Sequence, residues 1–209
     1  MDLVMAVGSV FAVFIPALML PGPDFLAVVR SAMTRGSRAG LATALGVSLG
    51  LGFYAALSLI GLSAILTQYQ WLTWFVRILG GAYLVFLGLR LIIKRPDQVE
   101  ITGEAPRERS ALLFGFVVTL TNPKAIVLFA SVFATAASGA MPLWVTVLMI
   151  GLVVASSLAW YSAVSLFMAS PPIMNRFRDV RHRIERLAGA CFVAIGLKIM
   201  SDARSPVAA

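Results

Sequence analysis

The sequence predicts an all-α membrane protein of six transmembrane helices, arranged as two inverted three-helix repeats, with helices 1 and 4 interrupted by Pro. Three observations predict it: a composition too apolar for water, long uncharged runs, and short motifs that recur in the two halves. Of 209 residues, 60% are hydrophobic and 12% charged, with a mean hydropathy of +0.93. A soluble domain carries about 25% charged residues, so the composition excludes a water-soluble enzyme and a disordered chain. A bilayer core of about 30 Å takes about 20 apolar residues of helix. Only helices satisfy their own backbone groups within one segment in lipid.

The first span is expected at about residues 3–29, because residues 3–23 carry no charge. Asp2 stands where a signal peptide has a basic start, and no small-residue cleavage site is evident, so this segment reads as a span. Residues 39–76 hold no charge over 38 positions. They supply span two, at about 40–66, and the start of span three, at about 71–93. Trp71 and Trp74 fit an aromatic belt at the outer interface. Residues 125–175 hold no charge over 51 positions, and Gly139 and Pro142 divide them. Spans four and five are therefore expected at about 111–136 and 142–168, and span six at about 187–203.

The net charge of +8 would suggest nucleic acid in a soluble chain. Here 13 of the 17 basic residues fall in alternate connections. Arg30, Arg35 and Arg38 lie in the first, Arg90, Lys94, Arg95, Arg107 and Arg109 in the third, and five arginines from Arg176 to Arg186 in the fifth. The second and fourth have none. The positive-inside rule puts loops one, three and five in the cytoplasm and both termini outside. Topology thus accounts for the charge, and no nucleic acid is expected. The polar stretch 94–110 reads as a solvated cytoplasmic linker between repeat 1 (about 1–93) and repeat 2 (about 111–209) of a single transmembrane domain.

The halves share two patterns. Residues 81–90 (GAYLVFLGLR) and 189–198 (GACFVAIGLK) match at Gly, Ala, Val, Gly and Leu and end on a basic residue, at an offset of 108. Gly22-Pro23-Asp24 and Asn122-Pro123-Lys124 correspond at an offset of 100. A repeat of three spans must re-enter the membrane upside down, and inverted repeats with interrupted helices point to a transporter's binding site.

Proline inside a helix removes a hydrogen bond and clashes with the preceding turn. It suits the first position of a new helix, with Gly or Asn as cap. Pro23 and Pro123 are therefore expected to begin fresh half-helices capped by Gly22 and Asn122, whose free N–H groups favour an anion. Asp24 and Lys124 follow directly, each inside an apolar run. A charge at mid-membrane costs at least about 2.5–3.5 kcal/mol, so such residues face the bundle interior and pair. They are expected to approach each other or to bracket one zwitterion, with Asp24 also available as the proton-coupling group. The plainer alternative is that Asp24 only stabilises a helix N-terminus and Lys124 only neutralises it or snorkels.

Tyr83 and Tyr161 join the candidate substrate-binding set as hydroxyls within spans, Tyr83 reading first as a packing residue. Arg30 either lines the cytoplasmic entrance or marks the boundary. Gly36, Gly40, Gly46 and Gly50 give small-xxx-small spacing on span two, suited to close helix packing. His182 reads as part of a solvated loop and Cys191 as packed.

These motifs resemble the LysE/RhtB superfamily of bacterial amino-acid exporters. The resemblance rests on Pro21-Gly22-Pro23-Asp24, the Gly-rich stretch from Arg35, GGAYLVFLG at 80–88, Asn122-Pro123-Lys124-Ala125, and 189–198, in order along nearly the whole chain. It implies a multi-pass protein of the bacterial inner membrane that exports amino acids in exchange for protons. The lysine/arginine branch tends to carry His in place of Lys124 and further intramembrane acids. Their absence leans toward neutral substrates such as threonine, homoserine or leucine. Many relatives continue from the fourth-helix motif into a Phe-rich stretch ending Pro-Gln-Phe. This chain reads AIVLFASVFATAASG, a difference that bears on substrate choice or the outer gate.

Other classes fit less well. A membrane enzyme needs a nucleophile and base or a metal with its ligands, and the spans lack them. One Cys and one His leave little for a metal site, no cofactor is expected, and no nucleotide-binding motif is present. An exporter of another small organic or inorganic cation, or a channel-like component, stays open as the alternative. The expected partners are an amino-acid substrate, protons and the lipid bilayer, and a homo-oligomer is left open.

Overall fold

The computed structural model describes residues 3–62, 69–93, 110–130, 142–167 and 171–203. Every regular element among them is helical. In order they are α1 (Leu3–Met19), α2 (Pro23–Arg35), α3 (Ser37–Ala56, continued by a π-helical stretch Leu57–Leu62), α4 (Gln70–Ile93), α5 (Ala111–Leu120), α6 (Pro123–Leu128), α7 (Leu143–Phe167) and α8 (Pro171–Asp202). Among the described residues three segments are long and apolar enough to cross a membrane: Ser37–Gly61, Trp74–Ile93 and Leu143–Phe167. A fourth is the pair Val10–Met19 and Pro23–Arg35, bent by 42° where proline interrupts it. Residues 94–109 of the expected linker 94–110 and the stretch 131–141 lie outside the described residues.

Both proline breaks form as the sequence chemistry requires. Pro23 and Pro123 each occupy the start of a new helix, with Gly22 and Asn122 as N-caps. Proline lacks the N–H that a first helical residue leaves unused.

Two boundaries differ from the expectation. The first connection shrinks to Gly36, whose φ of +84° is a conformation open to glycine at little cost. Arg30 and Arg35 lie on α2, and Arg38 on α3. The expected fifth loop is helix: α8 runs 32 residues from Pro171 to Asp202, and the segment 187–203 expected as span six is its second part. Prolines at a helix start are tolerated, and the Arg- and Glu-containing stretch after them favours helix wherever lipid ends. His182 therefore sits on a helix, where its Nδ1 is buried without a hydrogen-bond partner. Cys191 is exposed rather than packed.

Of the four glycines expected to pack closely, Gly40, Gly46 and Gly50 do so, against α2, α5 and α7 of the same chain, whereas a Cβ on Gly36 would meet nothing within 4 Å. A Cβ on Gly46 would collide with the Leu112 carbonyl, and one on Gly115 with the Thr43 carbonyl. A Cβ on Gly50 would come within 2.8 Å of Thr119. Gly40 packs against Ser165 and Ala32. Such contacts bring backbones together where no hydrophobic force acts between lipid-embedded helices. On the side facing Gly40, Thr43 donates to Ser31 (2.9 Å), joining α3 to α2.

The segments that matched in sequence pack on each other. A Cβ on Gly81 would lie 2.7 Å from the Gly196 carbonyl and one on Gly196 would lie 2.6 Å from that of Gly81. Gly88 and Gly189 meet in the same reciprocal way. The pairing runs antiparallel: Gly81 contacts Gly196, and their repeat equivalents, Gly189 and Gly88, contact each other. That is the pattern a local two-fold axis produces.

Candidate functional site

The site lies where the two proline breaks meet. Asp24, in the first turn of α2, is 6% exposed. Its Oδ1 accepts from the Thr119 hydroxyl (3.1 Å) and its Oδ2 from the Asn122 amide (2.9 Å). Thr119 and Asn122 are 0% and 3% exposed. These two bonds give each oxygen of the buried carboxyl group a partner that burial would otherwise deny it.

Asn122 works in both directions. Its amide NH2 reaches Asp24, while its Oδ1 accepts from the Lys124 backbone N–H (3.1 Å) and caps α6. The Lys124 ammonium donates to the carbonyls of Ala17 (2.6 Å) and Leu20 (3.3 Å). Those carbonyls belong to the end of α1 and its exit, where the Pro break removes helical donors. Each broken helix is thus completed by the other half of the chain. Gly22 lies beside the Lys124 side chain, where a Cβ would sit in ordinary contact 3.8 Å from Nζ.

A cavity of about 20 Å³ opens at this junction. Asp24, Asn122 and Lys124 form its polar part, and Phe14, Leu51, Leu128 and Tyr161 belong to its wall. That volume holds about one water molecule. An amino acid can enter only if the walls separate.

Of the candidate residues, the fold brings Gly22, Asp24, Asn122, Lys124 and Tyr161 together, with Pro23 and Pro123 setting the breaks. Tyr161 is 3% exposed and lies on α7. Tyr83 lies elsewhere, half-buried on α4 beside Phe86 (6.4 Å between ring centroids). Asp24 and Lys124 do not pair directly, and Asn122 joins them. Sequence reasoning missed Thr119 and Tyr54. Tyr54 donates to the Leu120 carbonyl (2.7 Å). Nothing in local sequence marks either, because their partners lie 95 and 66 residues away. Among the described residues no three His, Cys, Asp or Glu side chains gather as metal ligands do.

The LysE type translocator family model matches residues 15–203. The chain belongs to the LysE type translocator family. Its relatives among characterised proteins include the threonine efflux protein of Escherichia coli K12, 29% identical over 197 residues, covering 92% of this chain and 96% of the relative. The threonine efflux protein of Salmonella typhi is 30% identical over 200 residues, with the same coverage. An uncharacterised membrane protein of E. coli K12 is 27% identical over 205 residues, covering 97% of this chain and 92% of that one. No solved structure matches at a significant level. As a LysE type translocator the chain is a transmembrane transporter, not an enzyme, and its partners are a small-molecule substrate and membrane lipid.

Proposed function

We propose that this translocator is a secondary transporter that exports neutral amino acids, threonine foremost, from the cytoplasm across the bacterial inner membrane in exchange for protons. The observation that carries the reading is the meeting of Asp24, Asn122 and Lys124 at two proline-broken helices. Threonine efflux by two relatives supports the substrate class.

The chemistry follows from groups already in place. A carboxylate has about four lone-pair sites, and Asp24 uses two on Thr119 and Asn122. Capacity remains for a substrate ammonium. The substrate carboxylate takes the Lys124 ammonium from the Ala17 and Leu20 carbonyls. Leu51, Leu128, Phe14 and the Tyr161 ring give a mainly apolar wall for a neutral side chain. When the substrate leaves outward, Asp24 takes a proton from outside and releases it inward as the site reopens, which couples the fluxes.

Six spans in two inverted repeats suit this cycle, because such symmetry gives alternating access around a fixed mid-membrane site. The paired breaks and the reciprocal Gly81–Gly196 and Gly88–Gly189 contacts support that arrangement. The basic residues at 30–38, 90–109 and 176–186 support a cytoplasmic position for those segments and an outside position for both termini.

The test is the intracellular level of each of the twenty amino acids in cells with and without the protein. The reading expects threonine or another neutral amino acid to fall when the protein is present. If no amino acid moves, the exporter reading fails.

A further inference from the structure

The break between α5 and α6 leaves one carbonyl to explain. In a continuous helix the Lys124 N–H would bond to the Leu120 carbonyl, four residues back. Here the Asn122 side chain has captured that N–H. Leu120 would be left without its donor in an apolar setting, where an unmet carbonyl is costly. The Tyr54 hydroxyl, from α3, supplies the replacement at 2.7 Å.

The same Tyr54 ring stacks on Phe129, with centroids 6.0 Å apart and planes at 23°. Phe129 meets Phe14 edge-on at 5.8 Å. Phe14 and Phe129 are each 1% exposed. Three helices thus contribute one ring each to a continuous layer. Its place follows from the chain direction: Phe14 precedes the α1 break, Phe129 follows the α6 start, and Tyr54 lies one turn beyond the cavity residue Leu51. All three displacements point to the face that the charge pattern assigns to the outside. Three residues after Tyr54, and at Phe129, the backbone widens into π-helix, over Leu57–Leu62 and residues 129–130. π-bulges occur often at functional sites.

We propose that Tyr54, Phe129 and Phe14 form the outer gate of the transport site, with the Tyr54–Leu120 hydrogen bond as its latch. The proposal rests on the exporter reading for the direction of release. Tyr54 is a positioning residue, which acts through Leu120 and Phe129 rather than on the substrate. Substrate leaves when the latch opens and the ring stack parts.

The test reads access to the cavity without any substrate. A reporter thiol is introduced by Leu51→Cys in a Cys191→Ser background, and its reaction with a membrane-impermeant methanethiosulfonate is timed in intact cells and in inside-out vesicles. Tyr54→Phe keeps the ring and removes the latch. It should speed labelling from outside by about five- to tenfold, the population shift that loss of one hydrogen bond produces. Phe14→Ala, which leaves the latch intact, should also speed it from outside. Unchanged labelling in both variants overturns the gate, and faster labelling only from the cytoplasmic side overturns its position. Because labelling needs no transport, these results stand apart from any failure of the amino-acid assay.

Discussion

The side-chain amide of Asn122 donates to Oδ2 of Asp24 at 2.9 Å, across 98 residues of sequence, and so ties the two proline breaks together. The same side chain caps α6 through the Lys124 N–H. Replacing it should therefore remove a tertiary bond and a helix cap at once. Asn122→Ala is expected to lower stability by about 1–3 kcal/mol, read as a lower melting temperature in detergent. An unchanged melting temperature would mean that the junction does not hold the halves together.

The glycines at the α3–α5 contact should tolerate no added methyl. Gly46→Ala and Gly115→Ala each place a Cβ against a carbonyl, and overpacking of this kind costs about 1–3 kcal/mol. Gly151, within α7, has nothing within 4 Å of an added Cβ. Gly151→Ala should be neutral or stabilising, because alanine favours helix. Parallel thermal melts of the three variants compare the sites directly.

The pairing of α4 with α8 should fail symmetrically. Gly88→Leu and Gly189→Leu meet each other's backbone from opposite sides. Both should reduce the folded fraction to a similar degree, and the double variant should cost less than the sum, because both remove one shared contact. Fluorescence-detected size exclusion of the variants checks this.

Topology gives a separate expectation. A tag inserted at residue 100 should be reached only from the cytoplasm, and a tag at residue 209 only from outside, as judged by impermeant labelling of cells and inverted vesicles. Labelling of both from one face would refute the six-span arrangement.

Much of this was legible because proline and glycine act locally. Pro23 and Pro123 cannot continue a helix, so the breaks could be placed from sequence, and Asn122 is a good cap wherever it precedes such a start. Gly46 and Gly50 announced close packing by their spacing. The content of the site was harder to read. Lys124 satisfies carbonyls of α1 rather than the Asp24 carboxylate, and no rule of charge pairing distinguishes those outcomes before the helices are placed. Thr119 and Tyr54 act across the fold on groups that the breaks leave unpaired. Tyr83 looked similar to Tyr161, both being hydroxyls in apolar helices, yet only Tyr161 reaches the cavity. The basic stretch 176–186 reads as a loop because charge marks the edge of lipid, yet helix α8 continues through it.

We propose that Asp24 and Lys124 act on the transported amino acid. The most direct measurement is the flux of labelled threonine in proteoliposomes holding equal amounts of the native protein, Asp24→Asn or Lys124→Met, under an imposed pH gradient. The native protein should drive flux that collapses with the gradient. Each variant should lose about tenfold or more, the scale set by one charge-assisted hydrogen bond. Flux at the native rate in both variants would rule out a role for Asp24 and Lys124 in transport.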